Sequence, residues 1–133
     1  MKINKRLGIY LNYQQAHLIS FTSNLSETNT IESDFTHEEK METLNKGEKA
    51  MHHKEQHEQL AYFKKLGEKI KHYDEVILFG PTKAKNELHN LLEDDSHFNK
   101  IDITIANTDD ITLKEQHDFV MHYFSKKLTK PSL

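Results

Sequence analysis

The 133-residue sequence contains no cysteine, no tryptophan and no long apolar run. Without cysteine the chain forms no disulfide bonds and has no thiol chemistry, which favours a cytoplasmic location. A membrane span needs about 20 apolar residues, and no stretch approaches that length. The basic N-terminus, MKINKRLGIYLNYQ, lacks the apolar segment of a signal peptide. We therefore expect a cytoplasmic protein without a membrane partner.

The sequence also lacks a strong excess of one charge. It has 18 Lys and Arg against 21 Asp and Glu, for a formal net charge of −3, so global electrostatics do not indicate a nucleic-acid binder. Mean hydropathy is low, at −0.80, but the apolar residues are clustered rather than diluted. This pattern predicts a single folded α/β domain over residues 1–133 that includes a very polar segment.

The clearest local pattern is the segment from Tyr73 to Leu92. Its apolar run VILF (residues 76–79) predicts a strand buried on both faces, and Gly80-Pro81 ends that strand. Thr82 follows, and its hydroxyl can cap a helix with one apolar face. A buried strand followed directly by a helix indicates an α/β fold.

The remaining elements are predicted from periodicity and turn residues. The predicted strands are Leu7–Asn12, Ala16–Thr22, Ile31–Phe35, Glu75–Phe79 and Ile101–Ile105, and the predicted helices are Glu55–Lys71, Lys83–Glu93 and Thr112–Leu128. Residues 23–29 are predicted to be a polar loop, and residues 36–54 a flexible or partly helical polar loop. The resulting β-β-β-α-β-α-β-α order predicts a mixed sheet with flanking helices, as in ribonuclease-H-like folds.

The first candidate site is the turn after the fourth predicted strand. Gly80, Thr82, Lys83 and Lys85 lie where α/β folds place their ligands, and a helix N-terminus with two ammonium groups can bind phosphate or an RNA backbone. The segment lacks the length and the Gly-Lys-Ser/Thr ending of a P-loop. An ordinary strand-to-helix connection with solvated lysines is the alternative interpretation.

The second candidate site is the polar loop, where Lys46, Lys49 and Lys54 could contact RNA. Glutamates offset these lysines, so a solvated loop is the alternative. His53 and His57 are spaced to share one helix face and are weak candidates for metal ligands. The sequence contains neither an HExxH motif nor cysteine, and we expect no metal and no cofactor.

Two further groups of residues are candidate sites. Asp94-Asp95 and Asp109-Asp110 could supply nuclease carboxylates, but the first predicted strand contains no acid. Asp109-Asp110 precedes the capping Thr112, so loop and helix-dipole roles explain this pair more simply. Tyr10, Tyr13 and Phe21 could stack on bases, although packing within the sheet is the favoured interpretation.

Three segments, in this order and spacing, carry a resemblance to a known family. LGIYLNYQQAHLISF, HHKEQHEQLAYFKKLGEKI and VILFGPTKAKNELHNLL resemble parts of the central domain of the archaeal and eukaryotic class-1 release factor and Pelota family, including its small bacterial relatives. They are similar to the opening hairpin, the helix after the catalytic loop, and the strand with its Gly-Pro turn and helix. The resemblance implies the fold of that domain and an association with translation.

The sequence departs from this family at the catalytic loop. Catalytic release factors carry Gly-Gly-Gln there, whereas this chain has Asn45-Lys46-Gly47-Glu48 and no Gly-Gly-Gln anywhere. The resemblance therefore implies that peptidyl-tRNA hydrolysis is absent. The chain is also too short for the flanking domains, so codon reading and GTPase recruitment are not expected.

The leading hypothesis from sequence is a non-enzymatic domain that binds the ribosome or RNA, as a stress or hibernation accessory. Two alternatives belong to other classes. One is a protein-interaction module or homodimer that uses free strand edges. The other is a nuclease or esterase with unconventional catalytic residues.

Overall fold

The computed structural model describes residues 5–22, 25–32 and 48–129. The elements in these ranges are β1 (Arg6–Leu11), β2 (Gln15–Thr22), β3 (Leu25–Glu32), α1 (Glu48–Ile70), β4 (Glu75–Gly80), α2 (Ala84–Glu93), a short 3-10 turn (Ser96–Phe98), β5 (Asp102–Asn107) and α3 (Leu113–Thr129). No helix in the described ranges is long and apolar enough to cross a membrane.

The strands form one mixed sheet in the order β3-β2-β1-β4-β5. β1 and β2 pair antiparallel, and so do β2 and β3. The tight turn between β1 and β2 is closed by Asn12, whose Oδ1 accepts hydrogen bonds from the backbone N–H of Gln14 and Gln15. β1, β4 and β5 are parallel neighbours. The predicted α/β class and mixed sheet with flanking helices are confirmed.

Side chains alternate between the two faces of the sheet along each strand, and this alternation separates two hydrophobic cores. Leu7, Ile9 and Leu11 of β1 point to the face covered by α1 and α2, whereas Gly8 and Tyr10 point to the face covered by α3. β4 is buried on both faces, as the VILF run predicts. The sheet therefore has helices on both sides, with β1 and β4 at its centre.

Two element boundaries differ from the predictions. β3 begins at Leu25, so the prediction of a loop through residue 29 was wrong; Ser33 and Phe35 lie outside the described residues. The error arose because β3 is an edge strand, and its polar residues Asn29 and Thr30 face solvent while the backbone pairs with β2.

Helix α1 begins at Glu48 rather than at Glu55. The last residues of the segment predicted as a polar loop are therefore helical, and the remainder of that segment lies outside the described residues. Strong helix formers such as Glu, Lys, Ala and Met in EKAMHHKE are consistent with the longer helix. The other predicted helices and strands match the structure to within one or two residues.

Candidate functional site

The carboxyl ends of the three parallel strands meet at one edge of the sheet, which we call the carboxyl edge. β1, β4 and β5 end there at Leu11, Gly80 and Asn107. The segments that follow these strands, 12–14, 81–83 and 108–112, form the rim of this edge. Open α/β sheets bind ligands at this position because loops after neighbouring parallel strands converge there.

Gly80 fixes the geometry of the edge. Its φ is +147°, and a Cβ atom at this position would lie 2.5 Å from the carbonyl oxygen of Leu11. The carbonyl oxygen of Gly80 accepts a hydrogen bond from the backbone N–H of Thr108 at 3.2 Å. Only glycine fits here, because both the backbone conformation and the close approach of β1 exclude a side chain.

Thr82 and Lys83 form the start of α2. The Oγ1 of Thr82 accepts a hydrogen bond from the backbone N–H of Ala84, the first residue of α2, at 3.3 Å. Thr82 was predicted to cap the helix, but it lies one residue before the N-cap position. Lys83 occupies the N-cap position and is exposed. Its carbonyl oxygen accepts from the backbone N–H groups of Asn86 and Glu87. Lys83 is therefore an exposed cationic residue at the carboxyl edge.

Lys85 is not where the phosphate-site hypothesis required it. The residue is 2% exposed, and its Nζ donates a hydrogen bond to the carbonyl oxygen of Thr82. Burial lowers the pKa of its ammonium group. Lys85 shares the buried stripe of α2 with Leu88 and Leu92, a helical spacing visible in the sequence. Its role is local packing and support of the turn, so we correct its assignment as a ligand contact.

The turn between β1 and β2 is held by both α1 and α2. The hydroxyl of Tyr62 donates to the carbonyl oxygen of Asn12 at 3.0 Å. Tyr13 hydrogen bonds to Glu87 of α2, and Glu87 also accepts from Nε2 of Gln59 at 3.2 Å. Burial and this bond raise the pKa of Tyr13 to about 12. The turn is thus tied to the first turn of α2.

Tyr13 nevertheless remains accessible, with 40% of its surface exposed. Tyr10 and Phe21 are each 4% exposed, so the expectation of packing is confirmed for these two residues. For Tyr13 the structure differs, because its ring is exposed at the carboxyl edge and its hydroxyl bonds to Glu87, one helical turn after Lys83. Exposed aromatic rings beside cationic groups are the surfaces on which single-stranded nucleic acids stack.

The start of α1 lies on the same side of the domain. Gln59 already reaches Glu87 at the carboxyl edge, and residues 48–58 precede this contact and span about 16 Å of helix. Lys49, Lys54, His53 and His57 belong to this part of α1, while their side chains and the whole of Lys46 lie outside the described residues. Lys49 and Lys54 therefore belong to the part of α1 that precedes its contact with the carboxyl edge.

The predicted acidic pairs do not converge. Asp94-Asp95 precede β5 and Asp109-Asp110 follow it, so they lie at opposite ends of that strand. Asp95 accepts from the backbone N–H of His97 at 2.9 Å and caps the 3-10 turn. Within the described residues, no three His, Asp or Glu side chains are grouped to hold a metal ion.

A polar network that links α3 to the hairpin was missed from sequence. Nδ1 of His17 lies 2.7 Å from Oε1 of Gln116, and Gln116 donates through Nε2 to the carbonyl oxygen of Ile111 at 3.0 Å. Because an amide oxygen only accepts, His17 donates from Nδ1. His17 and Gln116 are separated by 99 residues, and no local pattern reports such a pair.

Tyr10 belongs to the same network. Its hydroxyl donates to Oδ1 of Asp110 at 2.7 Å, and its ring stacks on that of His17 with centroids 6.1 Å apart. Burial and the Asp110 hydrogen bond raise the pKa of Tyr10 to about 12. His117 of α3 hydrogen bonds to Thr28 of β3. These contacts hold α3 against the sheet.

Comparison with solved structures finds the same fold in part of larger proteins. Pelota from Archaeoglobus fulgidus matches with a TM-score of 0.57 and 9% identity, over 96% of this chain and 32% of that chain. Pelota from Thermoplasma acidophilum matches with a TM-score of 0.59 and 10% identity, over 95% and 35%. The archaeal translation termination factor aRF1 matches with a TM-score of 0.48 and 13% identity, over 94% and 40%.

The two Pelota structures confirm the predicted resemblance to Pelota at the level of the fold. The chain spans about a third of the length of the two Pelota chains. The sequence matches no protein-family model and no curated protein sequence. Shared fold does not establish shared activity, so the function must be argued from the site.

Proposed function

We propose that this domain binds RNA of the translation machinery, with the ribosome as its partner, through the carboxyl edge. The observation that carries the proposal is the exposed ring of Tyr13, whose hydroxyl bonds to Glu87 one helical turn after the exposed Lys83. An aromatic ring contributes stacking that tolerates any base, and an ammonium group contributes contact with phosphate. Together these two groups fit an unpaired strand of RNA.

The setting of Tyr13 supports a binding role because the ring is fixed before binding. Its hydroxyl is hydrogen bonded to Glu87, and the preceding residue, Asn12, is held by Tyr62 and by its own side-chain turn. A ring held in place loses little conformational entropy when a base stacks on it. The rest of the turn thus holds the ring of Tyr13 in a fixed position.

The first turns of α1 extend the same surface. Lys49 and Lys54 lie in this helical segment, close in sequence to Glu48 and Glu55. The mixed charge predicts few phosphate contacts and moderate affinity rather than the strong, salt-sensitive binding of a highly basic domain. This matches the net charge of −3 of the whole chain.

The domain acts by occupancy in this proposal. The carboxyl edge offers binding groups, and the chain carries no Gly-Gly-Gln with which to place a hydrolytic water. A stress or hibernation accessory is the physiological role that we propose for such an occupying domain. The fold likeness to Pelota supports the translation setting of this proposal.

The experiment that tests the ribosomal partner is sucrose-gradient sedimentation of lysates from growing and stationary cells. We expect the protein to comigrate with ribosomal particles and to leave them as salt increases, because phosphate contacts are screened. Enrichment in stationary cells would support the accessory role. Protein confined to the top of the gradient in both lysates would contradict the ribosomal proposal.

A second experiment assigns the binding to the carboxyl edge. Fluorescence anisotropy with a labelled single-stranded RNA is compared between the wild type, Lys83→Gln and Lys100→Gln. Lys100 is also exposed, but it precedes β5 and so lies at the end of the sheet opposite the carboxyl edge. We expect Lys83→Gln to reduce the slope of log affinity against log salt by about 0.7, and Lys100→Gln to leave it unchanged. Equal effects of both substitutions would exclude the carboxyl edge as the RNA-binding surface.

A further inference from the structure

The outer edge of β5 carries a pattern of amide groups that a second strand can pair with. The backbone N–H of Asp102 donates to Asp74, and that of Thr108 donates to Gly80. Even-numbered residues of β5 therefore direct their backbone polar groups to β4. The odd-numbered residues Ile103 and Ile105 direct theirs away from the sheet. No other strand in the described ranges pairs with this side of β5.

The side chains along this edge are only partly covered. Residues 103–106 are all half-buried, although they form the central part of a strand. Ile103 and Ile105 pair with Val76 and Leu78 of β4, so they lie on the face covered by α2. The partly exposed isoleucines make β5 an apolar edge strand. Proteins usually pair such a strand with another strand or cover it with a helix or loop.

A cleft of about 310 Å³ lies beside Ile103 on the same face. It is lined by residues of α2, the 3-10 turn and β5, including Leu92, Phe98 and Ile101. The cleft adjoins the outer edge of the sheet, so a strand added to β5 would direct alternate side chains into it. The polar residues His89, Glu93, Asn99 and Asp102 also line the cleft, so an apolar side chain would contact only its apolar part, formed by Leu92, Phe98, Ile101 and Ile103.

We propose that β5 pairs antiparallel with β5 of a second copy of this chain, in a register centred on Thr104. In this register Ile103 of one copy opposes Ile105 of the other, and Asp102 opposes Ala106. Each Ile105 enters the cleft beside the partner copy's Ile103. No two like charges face each other across the two copies of β5. The strand is therefore self-complementary in this register.

The hydrogen-bond pattern permits this register. An antiparallel pair requires that outward-facing residues oppose one another, and Ile103 and Ile105 are both outward-facing. Thr104 then opposes its own copy across the two-fold axis as a non-hydrogen-bonded pair, the type with the closest approach of side chains. Shifting the register by one residue would oppose outward-facing with inward-facing groups and lose the ladder.

The helices also fit this arrangement. α2 packs on β4 and β5, and neighbouring strands lie about 4.8 Å apart. Because α2 contacts both strands, a two-fold axis half a strand spacing beyond β5 places the two copies of α2 side by side on the same face of the joined sheet. A six-residue strand edge with these neighbouring helices is a small interface, so we expect weak, concentration-dependent association.

The decisive test uses the absence of cysteine in the chain. Thr104→Cys is compared with Thr30→Cys, which places a thiol on an exposed threonine of β3, at the other edge of the sheet. Under mild oxidation without RNA, we expect Thr104→Cys to form disulfide-linked dimers at least tenfold faster than Thr30→Cys. The opposed positions lie about 4.5 to 5.5 Å apart between Cβ atoms, within reach of a disulfide after small adjustment.

Sedimentation equilibrium of the wild type complements the cross-linking over about 1 µM to about 1 mM protein. We expect the mass to rise from monomer towards dimer. A monomer throughout this range overturns the proposal, and so does cross-linking of Thr104→Cys no faster than that of Thr30→Cys. Both measurements are made without RNA, so their outcome is independent of the proposed ribosomal function.

Discussion

Gly8 of β1 and Val120 of α3 are in direct contact across one face of the sheet. A Cβ atom on Gly8 would lie 2.3 Å from Cγ2 of Val120, which is closer than two carbon atoms can approach. The missing side chain lets α3 pack directly on the central strand, with Val120 fully buried between them. This contact sets the position of the helix whose first turn supplies Gln116 to the polar network.

Gly8→Ala should therefore destabilise the fold. Overpacking of this kind costs about 1–3 kcal/mol, measured as a reduced free energy of unfolding in urea. Gly8→Ala combined with Val120→Ala should be less destabilising than the sum of the two single variants, because the smaller residue leaves room for the new methyl group. Strict additivity of the two effects would contradict the steric explanation.

Gly67 provides a matched control for this prediction. It lies inside α1, and a Cβ atom there would be 3.4 Å from Cζ of Phe98 and 3.5 Å from Cδ2 of Leu92, which is ordinary packing distance. Because alanine is a better helix former by about 1 kcal/mol, Gly67→Ala should stabilise the protein slightly. The opposite sign of the two Gly→Ala effects separates steric exclusion from general sensitivity to substitution.

Burial of Tyr10 and its hydrogen bond to Asp110 should make stability decrease at alkaline pH. Tyr10 keeps its proton in the folded state up to a pKa of about 12, whereas an unfolded tyrosine loses it near its ordinary value of 10.0. Between these values the unfolded state binds fewer protons, so stability falls as pH rises. A single such group contributes a slope of about 1.4 kcal/mol per pH unit.

Tyr10→Phe should remove this contribution. Chemical denaturation at pH 7 to 9 is expected to show a nearly constant difference between variant and wild type, of about 1 kcal/mol for the lost hydrogen bond. Between pH 10 and 12 the difference should shrink as the wild type loses stability faster. Parallel curves over the whole alkaline range would show that Tyr10 does not titrate as the structure requires.

The sequence predicted the β4–α2 unit well because its signals are local: an unbroken apolar strand, Gly80-Pro81, and a helix with one apolar face. β3 was predicted poorly because an edge strand with polar side chains lacks that pattern, and only pairing with β2 defines it. The burial of Lys85 could have been predicted from its spacing to Leu88 and Leu92. The contact of His17 with Gln116 could not, because it depends on the tertiary packing of α3.

Lys85→Met tests the corrected role of this buried lysine. Methionine keeps the long apolar stem and removes the charge, so RNA affinity should stay within about twofold of the wild type, since the ammonium is not presented to a ligand. Lys83→Met is the matched control on the exposed neighbour, and it should weaken RNA binding. A loss of affinity with Lys85→Met in a protein of unchanged stability would restore Lys85 to the binding surface.

The stability difference between the wild type and Lys85→Met should depend on pH. Burial lowers the pKa of Lys85 in the folded state below its ordinary value of 10.5, so the unfolded state binds more protons in the interval between the two pKa values. Wild-type stability relative to Lys85→Met should therefore increase as pH rises towards 10.5 through that interval. Urea denaturation at several pH values up to 10.5 measures this, because the tyrosines are common to both proteins and their ionisation cancels in the difference. No pH dependence of the difference would mean that the ammonium is solvated.

Tyr13 is the residue on which the proposed RNA surface depends most. Loss of base stacking costs about 1–3 kcal/mol per base, so Tyr13→Ala should weaken binding to single-stranded RNA by about 5- to 150-fold. Tyr13→Phe keeps the ring and removes only the hydroxyl that contacts Glu87, so we expect affinity within about threefold of the wild type. Because Tyr13 lies in a turn and is exposed, both variants should fold, which circular dichroism and a thermal scan would verify. If Tyr13→Ala binds as tightly as Tyr13→Phe, the ring does not stack on RNA, and binding at the carboxyl edge would rest on its lysines alone.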